Sequence, residues 1–493
     1  MKKWHYKSKV AVQLLFSFCL FFVCIFIGAG LVSADIDSDE NANSYVFVLK
    51  ENTNHQDMIQ GISEKYPDVK IDTISEIGMF TISSVNRDML EEAQRYVNQS
   101  YSSIIEETSK EKSVTIKEFK LPSQPVLPIM NQLSGQQTFR ITSYASTQQV
   151  QEVSNNIYDP WRWDINKVTS NGESYAIQKG NHQVKIGIVD SGLDVNHPAL
   201  KDNVIGPGKI MVPGVSSMED QIGHGTMVAG TIAANGKIKG ISPEIGIVPY
   251  KVFEGYSADS SWIVKAIIEA ADDDMDIINL SLGTYKSMKK KEDKAIYTAY
   301  KRAVSYASKK GSLLVASSGT DSYDMTSPAK LAEQMGLTGD AQVHMPGGLP
   351  DVVTVSATNM DNQLAFYSNY GTQVDIAAPA GDYGPKFLDQ QQVDLEYMTL
   401  TTYPTTLPQS ELGRLLGFDQ GYEFMIGTSL AAPKVSATAA LIIAEYQEKY
   451  GRKPSPSVVK TYLYGGTVEG NGTRKQLGKG LVNAKKSLDL VNR

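Results

Sequence analysis

Five short apolar runs, at residues 184–189, 245–252, 277–280, 313–316 and 352–355, punctuate the later part of the chain. They are rich in valine, isoleucine and leucine, as strands buried on both faces are. Segments of helical character separate them, at residues 225–234, 262–271 and 295–309. Buried strands alternating with helices predict a parallel, doubly wound α/β sheet. Ligands of such sheets bind outside the carboxyl ends of the strands, so the chemistry is to be sought there.

The earlier part has another texture. Residues 45–50, 69–74 and 79–82 read as strands and residues 57–66 and 87–97 as helices, which predicts a small α+β unit. A proline-bearing stretch follows at 121–130, then a Gln- and Ser-rich run through Asn156, the composition of an exposed linker. No internal repeat is present.

At the extreme N-terminus Lys2, Lys3, Lys7 and Lys9 precede an apolar run over residues 10–32. Val32-Ser33-Ala34 then supplies the small residues of a cleavage site, so residues 1–34 are expected to be a signal peptide and the protein to be secreted. A retained membrane anchor is the alternative, since the run is long enough to span a bilayer. The chain ends at Arg493 without a second apolar tail, which favours release over stable anchoring.

Composition changes this picture only by exclusion. Both cysteines, Cys19 and Cys24, lie in that first segment, so the mature protein is expected to lack a disulfide, a thiolate nucleophile and a cysteine metal site. The 493 residues are 41% hydrophobic and 20% charged, an ordinary globular composition. A formal net charge of −7 gives no reason to expect nucleic acid as a partner.

Three segments carry candidate chemistry. Val184-Lys185-Ile186-Gly187-Ile188-Val189-Asp190-Ser191-Gly192 puts an acid at the end of a buried strand. Gly223-His224-Gly225-Thr226-Met227-Val228-Ala229-Gly230 puts a histidine at the mouth of a small-residue helix. Gly427-Thr428-Ser429-Leu430-Ala431-Ala432-Pro433 puts a serine at another helix start. Singly, each has a bland reading as a turn, a structural histidine or an N-cap. Together, in the order Asp, His, Ser, they resemble the subtilisin-like serine proteases. The resemblance covers residues 160–490 and includes Asn279-Leu280-Ser281-Leu282-Gly283, similar to the family's substrate-binding edge, and Gly478-Lys479-Gly480-Leu481-Val482-Asn483-Ala484. Segment 161–169 and the extended serine motif through Thr438 look like the lantibiotic leader peptidases within that family.

The resemblance implies a serine endopeptidase with Asp190, His224 and Ser429 as its triad and Ser281, Leu282 and Gly283 along the substrate. It also implies a zymogen: residues 35–152 resemble a propeptide with its linker, and residues 153–493 the catalytic domain. The expected partners are a peptide or precursor peptide and the chain's own propeptide. A broad-specificity extracellular subtilisin and a catalytically weakened peptide-binding protein remain the alternatives.

Where the family has an oxyanion-binding Asn, this chain has Thr320, within Val315-Ala316-Ser317-Ser318-Gly319-Thr320-Asp321. The stretch 233–243 lacks the family's longer calcium loop, so no calcium or other cofactor is expected. His344, in Val343-His344-Met345-Pro346-Gly347, falls in the segment resembling the base of the P1 pocket. A histidine there is expected to shorten the pocket and select glutamate, with self-cleavage after Glu152. The competing basic-selective reading places the cut after Arg140. The long segment 381–423 is expected either to shape the cleft or to decorate the surface.

Overall fold

The computed structural model describes residues 43–51, 53–117 and 156–493. The expected signal peptide, the proline-bearing stretch, Arg140 and Glu152 lie outside them.

The N-terminal unit is an antiparallel sheet with two helices, as its pattern predicts. Its strands are β1 (Ser44–Leu49), β2 (Lys70–Ile74), β3 (Met79–Ser83) and β4 (Ile105–Lys110), in the order β2-β3-β1-β4. Helices α1 (Gln56–Lys65) and α2 (Arg87–Ser100) close one face around Phe47, Ile62, Phe80, Leu90 and Val97. Strand β4 escapes the sequence pattern because Ser109 is its one buried residue. A short strand β5 (Ser113–Thr115) follows and leaves this sheet.

The larger part is built on seven parallel strands. In chain order they are β6 (Lys185–Asp190), β7 (Lys209–Ile210), β8 (Gly246–Lys251), then, after a short edge strand β9 (Ser257–Asp259), β10 (Ile277–Leu280). A second edge strand β11 (Thr284–Ser287) precedes β12 (Leu313–Ser317), and β13 (Gln342–Met345) precedes β14 (Val352–Thr358) and β15 (Ile376–Pro379). The sheet order is β15-β14-β12-β10-β6-β8-β7. Chain order therefore reverses at β6, with β8 on one side and β10 on the other. That switch point is where an open α/β sheet leaves a crevice at its carboxyl edge.

Four helices matter for the site: α3 (His224–Ala233), α4 (Ser260–Asp272), α5 (Lys291–Lys310) and α6 (Thr428–Tyr450). Helices α3 and α6 are buried nearly all round, which explains their small and apolar residues. The five apolar runs all became sheet strands; β7, of two residues, is too short to read from a pattern.

The two parts are packed together. β5 pairs antiparallel with β9, and Arg302 on α5 donates to the carbonyls of Leu49 (2.8 Å) and Ile77 (2.9 Å). Segment 381–423 contains β16 (Thr399–Thr402), which pairs antiparallel with β17 (Tyr422–Met425) at the segment's end. Among the described residues no helix is long and apolar enough to cross a membrane.

Candidate active site

Asp190 is the last residue of β6 and His224 the first of α3, and their side chains meet. His224 Nδ1 lies 2.7 Å from Asp190 Oδ1, and only 5% and 1% of the two residues is exposed. Glycine makes this approach feasible: a Cβ on Gly225 would stand 2.1 Å from the Gly192 carbonyl oxygen. The helix start is held by buried Asp220, which accepts the N–H groups of Gly223 and Thr226 (both 2.8 Å) and the Ser191 hydroxyl (2.8 Å). Ser191 in turn accepts the Gly225 N–H at 2.9 Å, tying α3 to the β6 loop. Burial holds the Asp220 carboxyl above its ordinary range, opposed by these donors. With Nδ1 directed at a carboxylate, the imidazole carries its proton there and Nε2 is the basic nitrogen.

Ser429 is the second residue of α6, and Pro433 explains its setting. Proline has no N–H, so the carbonyl four residues earlier, that of Ser429, loses its helical donor. The Ser281 hydroxyl takes that place at 2.7 Å, while the Ser429 hydroxyl donates to the Ser281 carbonyl at 3.1 Å. Asn279 supports the arrangement: its Nδ2 donates to Ser281 Oγ (3.0 Å) and its Oδ1 accepts from Ser436 (2.8 Å). The motif following β10 is thereby fixed to the helix bearing Ser429.

Ser281, Leu282 and Gly283 leave β10, and Ser318, Gly319 and Thr320 leave β12, at the same edge of the sheet. The imidazole of His344 lies between these two segments: a Cβ on Gly283 or Gly319 would stand 2.3 Å or 3.1 Å from its Nε2. The imidazole thus takes up space between the two segments. It offers no donor to an acid there. His344 is fully buried, Nδ1 pairs with the Gly347 carbonyl at 3.0 Å, and burial pushes its pKa down to about 4. The ring is therefore neutral at neutral pH, its N–H spent on the backbone, and it presents a lone pair rather than a donor to a carboxylate. Thr320 is half-buried. Ser318, the other hydroxyl nearby, is buried and donates to the Asn369 carbonyl at 3.2 Å.

The profile of the subtilase family matches residues 181–480, a span that contains the meeting of Asp190 and His224 and the start of α6. The chain belongs to the subtilase family. It is similar to the epidermin leader peptide-processing serine protease of Staphylococcus epidermidis, 34% identical over 322 residues that make up 60% of this chain and 67% of that protein. It is also similar to the nisin leader peptide-processing serine protease of Lactococcus lactis subsp. lactis, 33% identical over 379 residues, 70% of this chain and 52% of that one. The chain thus spans about half the length of the nisin relative. A solved structure of the epidermin leader peptide processing serine protease from Staphylococcus aureus superposes with a TM-score of 0.70 at 27% identity, covering 91% of this chain and 98% of that one. The protein is accordingly a subtilisin-type serine protease.

Sequence reasoning missed several residues that build this subtilase site. Asp220 was legible in principle, as an acid four residues before His224 in a glycine-rich turn. Asn369 was not. Its Oδ1 accepts the N–H groups of Asp321 (3.1 Å) and Tyr323 (2.8 Å), and its Nδ2 donates to Tyr285 (2.7 Å) and the Ser318 carbonyl (2.9 Å). Three chain segments distant in sequence meet there. The link between segment 161–169 and the serine motif proves to be a buried ion pair, Lys434 to Asp164 at 2.9 Å. The other histidines hold structure: His197 Nε2 lies 2.9 Å from the Gly421 carbonyl and His182 Nε2 lies 3.1 Å from Asn203 Oδ1. Asp272 and Asp273 turn to different cations, Lys310 (2.9 Å) and Lys209 (2.8 Å). Segment 381–423 is not a mere decoration. Thr402 donates to the Thr226 carbonyl (2.7 Å) and Thr401 to that of Met227 (2.8 Å), so the hairpin braces the helix carrying His224.

Proposed function

We propose that this subtilase is an endopeptidase of restricted specificity that removes leader peptides from lantibiotic-type precursors, made as a secreted zymogen. The observation that carries the chemistry is the buried 2.7 Å contact of His224 with Asp190 at the strand edge to which Ser429 is also fixed. The choice of substrate rests on the leader peptide-processing relatives.

In this reading Ser429 Oγ attacks the scissile carbonyl while His224 Nε2 takes its proton. Asp190 keeps the imidazole in the tautomer that leaves Nε2 basic and stabilises the imidazolium. The backbone N–H of Ser429, at the start of α6, and the hydroxyl of Thr320 receive the developing oxyanion. His224 returns the proton to the leaving amine, and water then hydrolyses the acyl-enzyme on Ser429. No calcium or other cofactor is proposed, because the stretch 233–243 is short and carries two lysines. The N-terminal unit acts as the propeptide, with β5 laid against β9.

Incubation with a mixed peptide library and mass spectrometry of the products tests the reading. One recurrent residue before the cut supports a restricted leader peptidase. Many unrelated cuts mark a broad subtilisin, and no cuts a peptide-binding protein.

A further inference from the structure

The helix that carries Ser429 is gripped from two directions, and only one grip comes from the sheet. Ser281 holds its first turn and Asn279 its Ser436 hydroxyl, both from the end of β10. Ser436 stands seven positions after Ser429 and so falls on the same face of α6. Lys434 falls about 140° round the helix from Ser429. Its fully buried ammonium lies 2.9 Å from Asp164 Oδ2 and donates to the Leu430 carbonyl, in the turn that holds Ser429, at 3.0 Å.

Asp164 belongs to the short helix Trp163–Thr169, the end of a strap over residues 156–169. The strap has anchors of its own. Trp163 Nε1 donates at 2.9 Å to the Met398 carbonyl, just ahead of β16, the strand that braces the helix of His224. The Trp161 ring lies 5.1 Å from that of Phe424 on β17, between centroids, and the Tyr158 hydroxyl donates to Asp419 at 2.5 Å. One segment thus reaches the supports of both His224 and Ser429.

Stability does not account for the pair. Two buried charges recover little more than their desolvation cost, and replacing both by apolar side chains is often neutral or stabilising. Asp164 Oδ1 adds to that cost, since it is buried without a hydrogen-bond partner among the described residues. What an ion pair supplies and an apolar contact does not is a fixed distance and direction. A displacement of about 1 Å can cost about a hundredfold in rate, so the seating of α6 is where such a constraint takes effect.

We propose that Lys434 and Asp164 are positioning residues of this protease, seating the first turn of α6 so that the Ser429 hydroxyl stands in register with His224. The strap over 156–169 is then the piece of chain that sets the nucleophile. The proposal rests on the endopeptidase reading above.

The test separates activity from stability with two variants of the full chain. Each is compared with the wild type by denaturant midpoint and by kcat and KM on one peptide substrate, per active site titrated with a fluorophosphonate. Asp164→Leu combined with Lys434→Met replaces the pair by apolar side chains of similar volume. Its midpoint should equal or exceed that of the wild type, while kcat falls about ten- to a hundredfold at unchanged KM. Asp164→Asn keeps the shape and an acceptor for Lys434 but loses the charge. Its midpoint should fall while kcat stays within about threefold of the wild type. A stable variant that is slow, beside a weakened one that is fast, is a result that a merely structural pair does not give. A double variant with wild-type kcat, a double variant that does not fold, or kcat values that follow the midpoints overturns the proposal. A wild type that turns over no peptide overturns the endopeptidase reading and the proposal with it.

Discussion

At the scale of single residues the departure that matters most is Thr320. A threonine hydroxyl is shorter than an asparagine amide, so in the proposed role it is the weaker donor. Thr320→Val should lower turnover by about ten- to a thousandfold with little change in KM, the range known for removing an oxyanion donor in a subtilisin. Thr320→Asn should keep or raise turnover. Steady-state kinetics on one peptide substrate checks both, and a Thr320→Val enzyme at wild-type rate moves the role elsewhere. A second residue-scale prediction concerns Lys434, which is fully buried and whose pKa burial lowers while Asp164 opposes. Asp164→Ala strands a buried ammonium and should destabilise the protein by about 3–5 kcal/mol, read from the denaturant midpoint of the Ser429→Ala protein. The pairing was not legible in sequence, because 270 positions separate the partners.

At the scale of elements the sequence was read well wherever pattern decides structure. The five apolar runs became strands within three residues of the expected ends, because strands buried on both faces announce themselves by continuous hydrophobicity. β4 was hidden because it owes its place to partners: β1 on one edge, and α5, whose Ala295 N–H donates to Ser109 Oγ at 3.1 Å. The motifs of Asp190, His224 and Ser429 were legible, since each sits at an element boundary where small residues must stand. The surroundings of Asp321 were not, since they are assembled from β11, the β12 loop and Asn369.

The same docking surface carries a pH prediction. Glu111, next to β5, is buried where the N-terminal unit meets α4, and its Oε1 accepts the N–H groups of Lys112 (2.9 Å) and Ser260 (3.1 Å). Burial first and the Asp259 carboxylate second push it up to about 7, while Ser261, Lys112 and Lys286 pull it down; burial raises Asp259 itself to about 6. Both docked values exceed those of exposed carboxyls, so the docked form binds more protons between roughly pH 4 and 7. The sign follows: docking is firmest at the acid end of that window and weakens as pH rises to about 7. Hydrogen exchange of residues 43–117 in the Ser429→Ala protein should therefore be faster at pH 8 than at pH 5, after correction for intrinsic rates. Glu111→Gln should flatten the difference, and an undiminished difference in that variant would assign the effect to other groups.

At the scale of the molecule the protein is a protease held together with a segment of its own chain. The sheet places Asp190, Ser281 and Thr320 along one edge, α3 and α6 bring His224 and Ser429 to it, and β5 runs along β9 beside it. The central claim is that this edge cuts peptide bonds through Ser429. The most direct measurement compares the purified wild-type and Ser429→Ala proteins, each incubated with a lantibiotic-type precursor peptide and followed by intact mass. The account predicts a single cut separating leader from core with the wild type, and none with Ser429→Ala. Equal cleavage by the two proteins would contradict it.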